Sequence, residues 1–241
     1  MNTGMLASVA TIEEARTVLT AGVDIIDLKN PANGVLGAVD HNVARHVVEY
    51  VAKRKLISAT IGDLPTQPEL LTTAISEMSA TGADIIKVGI FSNNISNDVI
   101  NVLGKQAGDG IKIVLVIFAD LSFQPVDFEK LANVGVMGVM LDTANKESGS
   151  LRSILNDKQL KLFVEQAQTQ GLMTGLAGSL RLDDINPLLA LRPDYLGFRG
   201  ALCHELQRVA MIDALAVRRI RSMIPKLNIA EIDKTLELIA N

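Results

Sequence analysis

Eight short apolar runs, separated by helix-like stretches from one end of the chain to the other, limit what this sequence can become. The runs cover residues 5–10, 24–29, 56–63, 84–90, 112–120, 138–143, 172–179 and 195–200. Between them, TIEEARTVLTAG offers Thr11 as an N-cap, Glu14 at the capping-box position and Gly22 as a C-cap. QPELLTTAISEMSATG closes in the same way at Gly82, and DKQLKLFVEQAQTQG at Gly171. Alternating strands and helices call for parallel strands joined by crossover helices. Eight such units in 241 residues favour an α/β chain closed into a (β/α)8 TIM barrel over an open doubly wound sheet.

An internal echo supports that reading. AGVDIIDLKN at 21–30 returns as TGADIIKVGI at 81–90, two strand–helix units later, with Lys87 standing where the first copy has Asp27. No Ser/Gly linker or low-complexity segment divides the chain, so residues 1–241 read as one domain, with a final helix near 230–240. The core must be aliphatic, because hydrophobic residues make up 48% while aromatics make up 3% and Trp is absent.

Composition also excludes function classes. A net charge of −4 shows no basic bias, so nucleic acid is not an expected partner. The single cysteine, Cys203, rules out an internal disulfide and a multi-cysteine metal site, and suits a reducing cytoplasm. Without a paired base it reads as packing. The opening MNTGMLASVAT lacks the basic and apolar regions of a signal peptide. No apolar run reaches the ~18 residues of a membrane span, so the expectation is a cytoplasmic protein that engages no membrane. His41, His46 and His204 show no ligand spacing, and GKQAGDG at 104–110 does not follow a strand; no metal and no cofactor are expected.

The charges that interrupt the strands carry the chemistry. Asp27 and Lys29 sit two apart in DIIDLKNPANG, so they share the inward face at the C-terminal end of the second strand, where barrels of this kind build active sites. The fourth strand carries Lys87, and the sixth runs into VMLDTANK with Asp142 and Lys146. Asp63 and Asp120 end the third and fifth strands. A single charge at a strand end is ordinarily a solvated turn residue or a cap, and Asp63 and Asp120 suit that role. Lysines inside Ile/Val strands are another matter, since they are seldom buried without a partner.

A lysine attacks a carbonyl only when neutral, which costs about 4–5 kcal/mol at pH 7 from its reference pKa. Burial and a second nearby cation both lower that cost. Two lysines in one apolar mouth, flanked by carboxylates that orient them or move protons, suit Schiff-base chemistry on an aldehyde or ketone.

The last two strands run into Gly-rich loops, GLAGSL and GFRGALC. Barrel phosphates commonly bind there on backbone N–H groups. Gly178, Ser179, Gly200 and Ala201 allow close backbone approach, and Arg199 would add charge. The plainer reading is that these glycines only make tight turns.

LASVATIEEA, GVDIIDLKNPANGVLGA, SATIGDLP, GADIIKVGI, VMLDTANK, LAGSL and GFRGALC together resemble the (5-formylfuran-3-yl)methyl phosphate synthases, across about residues 6–203. The resemblance implies a TIM-barrel lyase that condenses two molecules of glyceraldehyde 3-phosphate, with loss of one phosphate and two waters, into the furan precursor of the one-carbon carrier methanofuran. It places the Schiff-base lysine on Lys29 beside Asp27, a second strand lysine on Lys87, and the strand-six pair on Asp142 and Lys146. Two departures stand out: the stretch HELQRVAMIDALAVRRIRS after GFRGALC, and the segment 91–110. Other readings of the same residues are a Schiff-base aldolase for a sugar phosphate and a non-catalytic barrel that binds a triose phosphate. The amphipathic VAMIDALAVRRIRSMI suits an outer barrel helix or a contact in a homo-oligomer.

Overall fold

The structure, a computed structural model, describes residues 3–91, 95–121, 126–145 and 148–225. Strand and helix alternate throughout: β1 (Gly4–Val9), α1 (Ile12–Ala21), β2 (Ile25–Leu28), α2 (His41–Val51), β3 (Leu56–Thr60) and α3 (Pro68–Ser79). Then come β4 (Ile85–Ile90), α4 (Asn97–Gly108), β5 (Ile113–Phe118), α5 (Phe128–Asn133) and β6 (Gly138–Asp142). The described chain finishes with α6 (Leu151–Ile154), α7 (Asp157–Thr169), β7 (Met173–Leu176), α8 (Leu182–Leu189), β8 (Tyr195–Phe198) and α9 (Ala214–Met223). The eight strands pair in parallel in chain order, and β8 closes on β1.

Every expected strand is present, and most stop short of their apolar run. The run at 56–63 is a strand only over Leu56–Thr60, and that at 172–179 only over Met173–Leu176. The trailing residues leave the sheet to build the barrel mouth, helped by Gly62 and Gly178 at φ 98° and 103°.

The internal echo has a structural cause. Asp24, just before β2, accepts from Met5 N of β1 at 2.8 Å. Asp84, just before β4, accepts from Ile57 N of β3 at 2.9 Å, and Asp194, before β8, from Thr174 N of β7 at 2.7 Å. Each aspartate ties the foot of its strand to the strand before it.

The helix signals act much as their residue types require. Thr11 Oγ1 accepts from Glu14 N at 3.2 Å, and Gly22 ends α1 in the left-handed region. Glu14 departs from the capping-box pattern: its carboxylate takes Ala10 N at 2.7 Å and also pairs with Arg199. VAMIDALAVRRIRSMI supplies α9, which lays Val217 and Ile220 inward and packs against α1 as an outer helix. The helix expected near 230–240 lies outside the described residues. No described helix is long and apolar enough to cross a membrane.

Two apolar cores result. One lies between the sheet and its helices. The other fills the lower barrel with Leu6, Ile25, Ile85, Val114, Met140 and Tyr195. The polar residues of the site rest on this dry floor.

Candidate active site

Strand register assembles the site's anchor. Ser8, Asp27 and Ser58 pair in register across β1, β2 and β3, so all three project into the barrel at one level. Asp27 is wholly buried. Its Oδ2 accepts from Ser8 Oγ at 2.7 Å, and its Oδ1 accepts from Ser58 Oγ at 2.7 Å and from Lys87 Nζ at 2.8 Å. Burial pushes the Asp27 carboxyl upward, but the charges of Lys87 and Lys29 and the hydrogen bonds from Lys87 and Ser58 outweigh it, leaving it below the usual carboxylate range. Asp27 is therefore a fixed anion.

Lys29 follows β2 directly, and its Nζ lies 3.7 Å from Asp142 Oδ2 at the end of β6. Asp142 is oriented by Thr143 N, which donates to its Oδ1 at 2.7 Å. Lys29, Lys87, Asp142 and Ser8 line a cavity of about 150 Å³ at the C-terminal end of the strands. The same cavity is lined by Gly178, Ser179, Gly200 and Ala201 from the loops after β7 and β8, so the expected lysine and phosphate regions face one space. Lys146 lies outside the described residues.

The β7 loop has an unusual backbone. Gly178 and Ser179 both take positive φ, 103° and 48°. A Cβ on Gly178 would stand 2.7 Å from Thr143 Cγ2, so the β7 and β6 loops touch only because that residue is glycine. Ser179 accepts about 1–2 kcal/mol of left-handed strain. Outside the sheet and helix ladders, the amides of Gly178, Ser179, Gly200 and Ala201 donate to no described residue, which leaves them available to an anion.

Arg199 is placed differently from the sequence expectation. Its Nη1 donates to Glu14 Oε2 at 2.6 Å and to Ser8 O, its Nη2 to Glu14 Oε1 and Ala210 O, and its Nε to Arg208 O at 2.7 Å. A guanidinium has five N–H donors, and all are engaged, so Arg199 lines the cavity but has none left for a phosphate. It organises the β8 loop instead.

Asp63 and Asp120 hold loops. Asp63 accepts from Val35 N and Leu36 N, both at 2.6 Å, fixing the loop after β2. Asp120 accepts from Ala144 N at 2.7 Å and Asn145 N at 2.6 Å, fixing the loop after β6. Cys203 is buried, its thiol pushed up to about 11 mainly by burial, against the pull of Arg199 and with a small push from Glu14. Among the described residues no three His, Cys, Asp or Glu side chains converge as a metal site.

Sequence reasoning missed Ser8, Ser58, Arg181 and Arg208, of which Ser8, Arg181 and Arg208 are on the cavity wall, and read Glu14 only as a helix cap. A signal for the serines existed: each is a small polar residue at an inward position of an apolar strand. Arg208 gave none, because its place depends on how the β8 loop folds.

A family model described as 4-HFC-P synthase matches residues 5–221. The (5-formylfuran-3-yl)methyl phosphate synthase of Methanococcus aeolicus is 37% identical over 210 residues, covering 83% of this chain and 89% of that one. Its namesake from Methanothermobacter thermautotrophicus is 33% identical over 232 residues, covering 91% and 98%. A Methylorubrum extorquens protein provisionally given the same name is 39% identical over 213 residues, 88% of each chain. Among solved structures, a 3-hexulose-6-phosphate synthase superposes with a TM-score of 0.65 at 17% identity, covering 93% of this chain and 100% of that one. The 3-keto-L-gulonate-6-phosphate decarboxylase of Vibrio cholerae gives 0.63 at 14%, with the same coverage. At such identities these structures speak for the barrel alone.

Proposed function

The chain belongs to the 4-HFC-P synthase family, and on that premise we propose that it condenses two molecules of glyceraldehyde 3-phosphate into (5-formylfuran-3-yl)methyl phosphate through a lysine imine. The observation that carries this reading is the arrangement of Lys29 and Asp142, 3.7 Å apart on the cavity wall, beside a Lys87 already committed to Asp27.

Lys29 attacks the aldehyde of the first triose phosphate, and water leaves as the imine forms. The imine acidifies the adjacent carbon, and Asp142, within reach of the imine nitrogen, takes its proton. The electron pair released there expels phosphate from the neighbouring carbon. Lys87, paired with the Asp27 carboxylate, stabilises the developing negative charge and donates protons. Asp27 acts through Lys87, so of the two roles open to the carboxylates, orienting a lysine or moving a proton, it takes the first. The second triose phosphate shifts its carbonyl to the central carbon by proton transfer, and the resulting carbon nucleophile adds there. Ring closure with loss of two waters, and hydrolysis of the imine, which takes back the water lost in forming it, give the aromatic furan; one phosphate and two waters balance the overall equation without a redox partner. Lys146 supplies an additional acid or base by family resemblance. The amides of Gly178, Ser179, Gly200 and Ala201 hold the retained phosphate. The product feeds a methanofuran-type one-carbon carrier.

Incubation with glyceraldehyde 3-phosphate tests this reading, with one arm trapped by borohydride for peptide mass spectrometry and one followed for furan absorbance. A triose adduct on Lys29 with furan appearing is expected. An adduct on Lys87 would exchange the lysine roles, and an adduct with an open-chain product would mean an aldolase.

A further inference from the structure

We propose that Arg208 seats a second phosphoryl group, that of the triose phosphate whose phosphate is expelled; the inference rests on the two-triose reading above. Among the described residues, five cationic side chains line the cavity: Lys29, Lys87, Arg181, Arg199 and Arg208. Lys29 faces Asp142, Lys87 is paired with Asp27, and Arg199 is paired with Glu14. Arg181 sits on the β7 loop next to the glycine amides, on the side assigned to the retained phosphate. Arg208 belongs to neither group. It leaves the far end of the β8 loop and crosses to the loop after β2, where its Nη2 donates to Gly34 O at 2.8 Å and Val35 O at 3.4 Å. Its Nε and Nη1 donate to no described residue.

The surrounding structure fixes this placement. The buried Arg199–Glu14 pair, with the bond from Arg199 Nε to Arg208 O, holds the Arg208 backbone. Asp63 holds the loop that receives its guanidinium. A half-buried cation fastened at both ends, beside the Lys29 loop, is a preorganised anion site rather than a solvated surface charge. Condensing two phosphorylated substrates requires two such places, and the glycine amides provide one.

Arg208→Gln and Arg208→Lys separate the two phosphates. Arg208→Gln is expected to raise the half-saturation of the borohydride-trapped adduct by at least about tenfold with glyceraldehyde 3-phosphate and by less than about twofold with unphosphorylated glyceraldehyde, because the first triose carries the phosphate that Arg208 seats, while furan formation falls by at least about 100-fold. Inhibition by added inorganic phosphate should weaken by at least about tenfold, and Arg208→Lys should fall between the two proteins. Furan formation within about threefold of wild type in both variants would overturn the proposal, as would an equal loss of adduct from glyceraldehyde 3-phosphate and from unphosphorylated glyceraldehyde with phosphate inhibition unchanged. If Arg208→Gln does not fold, Arg208→Lys decides by the same comparison. A wild type that forms no furan would instead overturn the synthase reading, and this proposal with it.

Discussion

Lys87 Nζ donates to Asp27 Oδ1 at 2.8 Å inside the barrel, with the two side chains only 2% and 0% exposed. Removing one partner strands the other in a dry site, so Lys87→Met should destabilise the protein by about 3–5 kcal/mol. Adding Asp27→Asn removes the stranded carboxylate, and Ser8 and Ser58 can still bond to the amide. The double variant should therefore be more stable than Lys87→Met alone, as urea unfolding would show. Equal or lower stability would mean that the pair is not what holds this layer together.

The depressed Asp27 carboxyl makes that stability depend on pH. With a folded pKa below the unfolded value of about 3.9, the unfolded chain binds the extra proton, so stability rises with pH through this window. The contribution is complete above the unfolded pKa and is lost as pH falls through the lower folded one. The difference in unfolding free energy between wild type and Asp27→Asn should stay flat from about pH 5 to 8 and shrink below about pH 4. A difference that instead grows on acidification would contradict the assignment of Asp27 as a fixed anion.

Asp63 ends β3's apolar run but serves the loop after β2, accepting two of its amides. Asp63→Ala leaves both unpaired at a cost of about 1–3 kcal/mol, taken first as local opening of that loop. Hydrogen exchange at Val35 and Leu36 should quicken while exchange in β5 stays slow. Because the loop also receives Arg208, the Michaelis constant should rise more than the turnover number falls.

How far the sequence revealed this site follows from distance along the chain. The strands and most helix ends come from local patterns, and Asp27, Lys29, Lys87 and Asp142 were conspicuous as charges inside apolar strands. What they do to one another was not local. Asp27 is held by serines from β1 and β3 and by a lysine from β4, contacts that exist only once the strands pair in register. Arg199 shows the same limit. Its place in GFRGALC suggested a phosphate cation, yet Glu14, on the first helix, pairs with it. Arg208, the cation proposed for the second phosphate, lies beyond the motif.

Cys203 gives a probe of the β8 loop. Burial pushes its thiol up to about 11, whereas an unfolded thiol titrates near 8.5. At pH 8 the folded thiolate fraction is on the order of a thousandth, so a thiol reagent should label the native protein slowly and the urea-unfolded protein fast. Between about pH 8.5 and 11 the unfolded chain gives up this proton while the folded one keeps it, so stability should fall as pH rises. Cys203→Ala should lack that part of the decline. Loosening the loop by Arg199→Met, which removes the guanidinium that grips Arg208 O and Ala210 O, should speed native labelling several-fold. Labelling as slow as in wild type would show that the loop stays closed without Arg199, and that its bonds to Glu14 and the loop carbonyls are not what places Arg208.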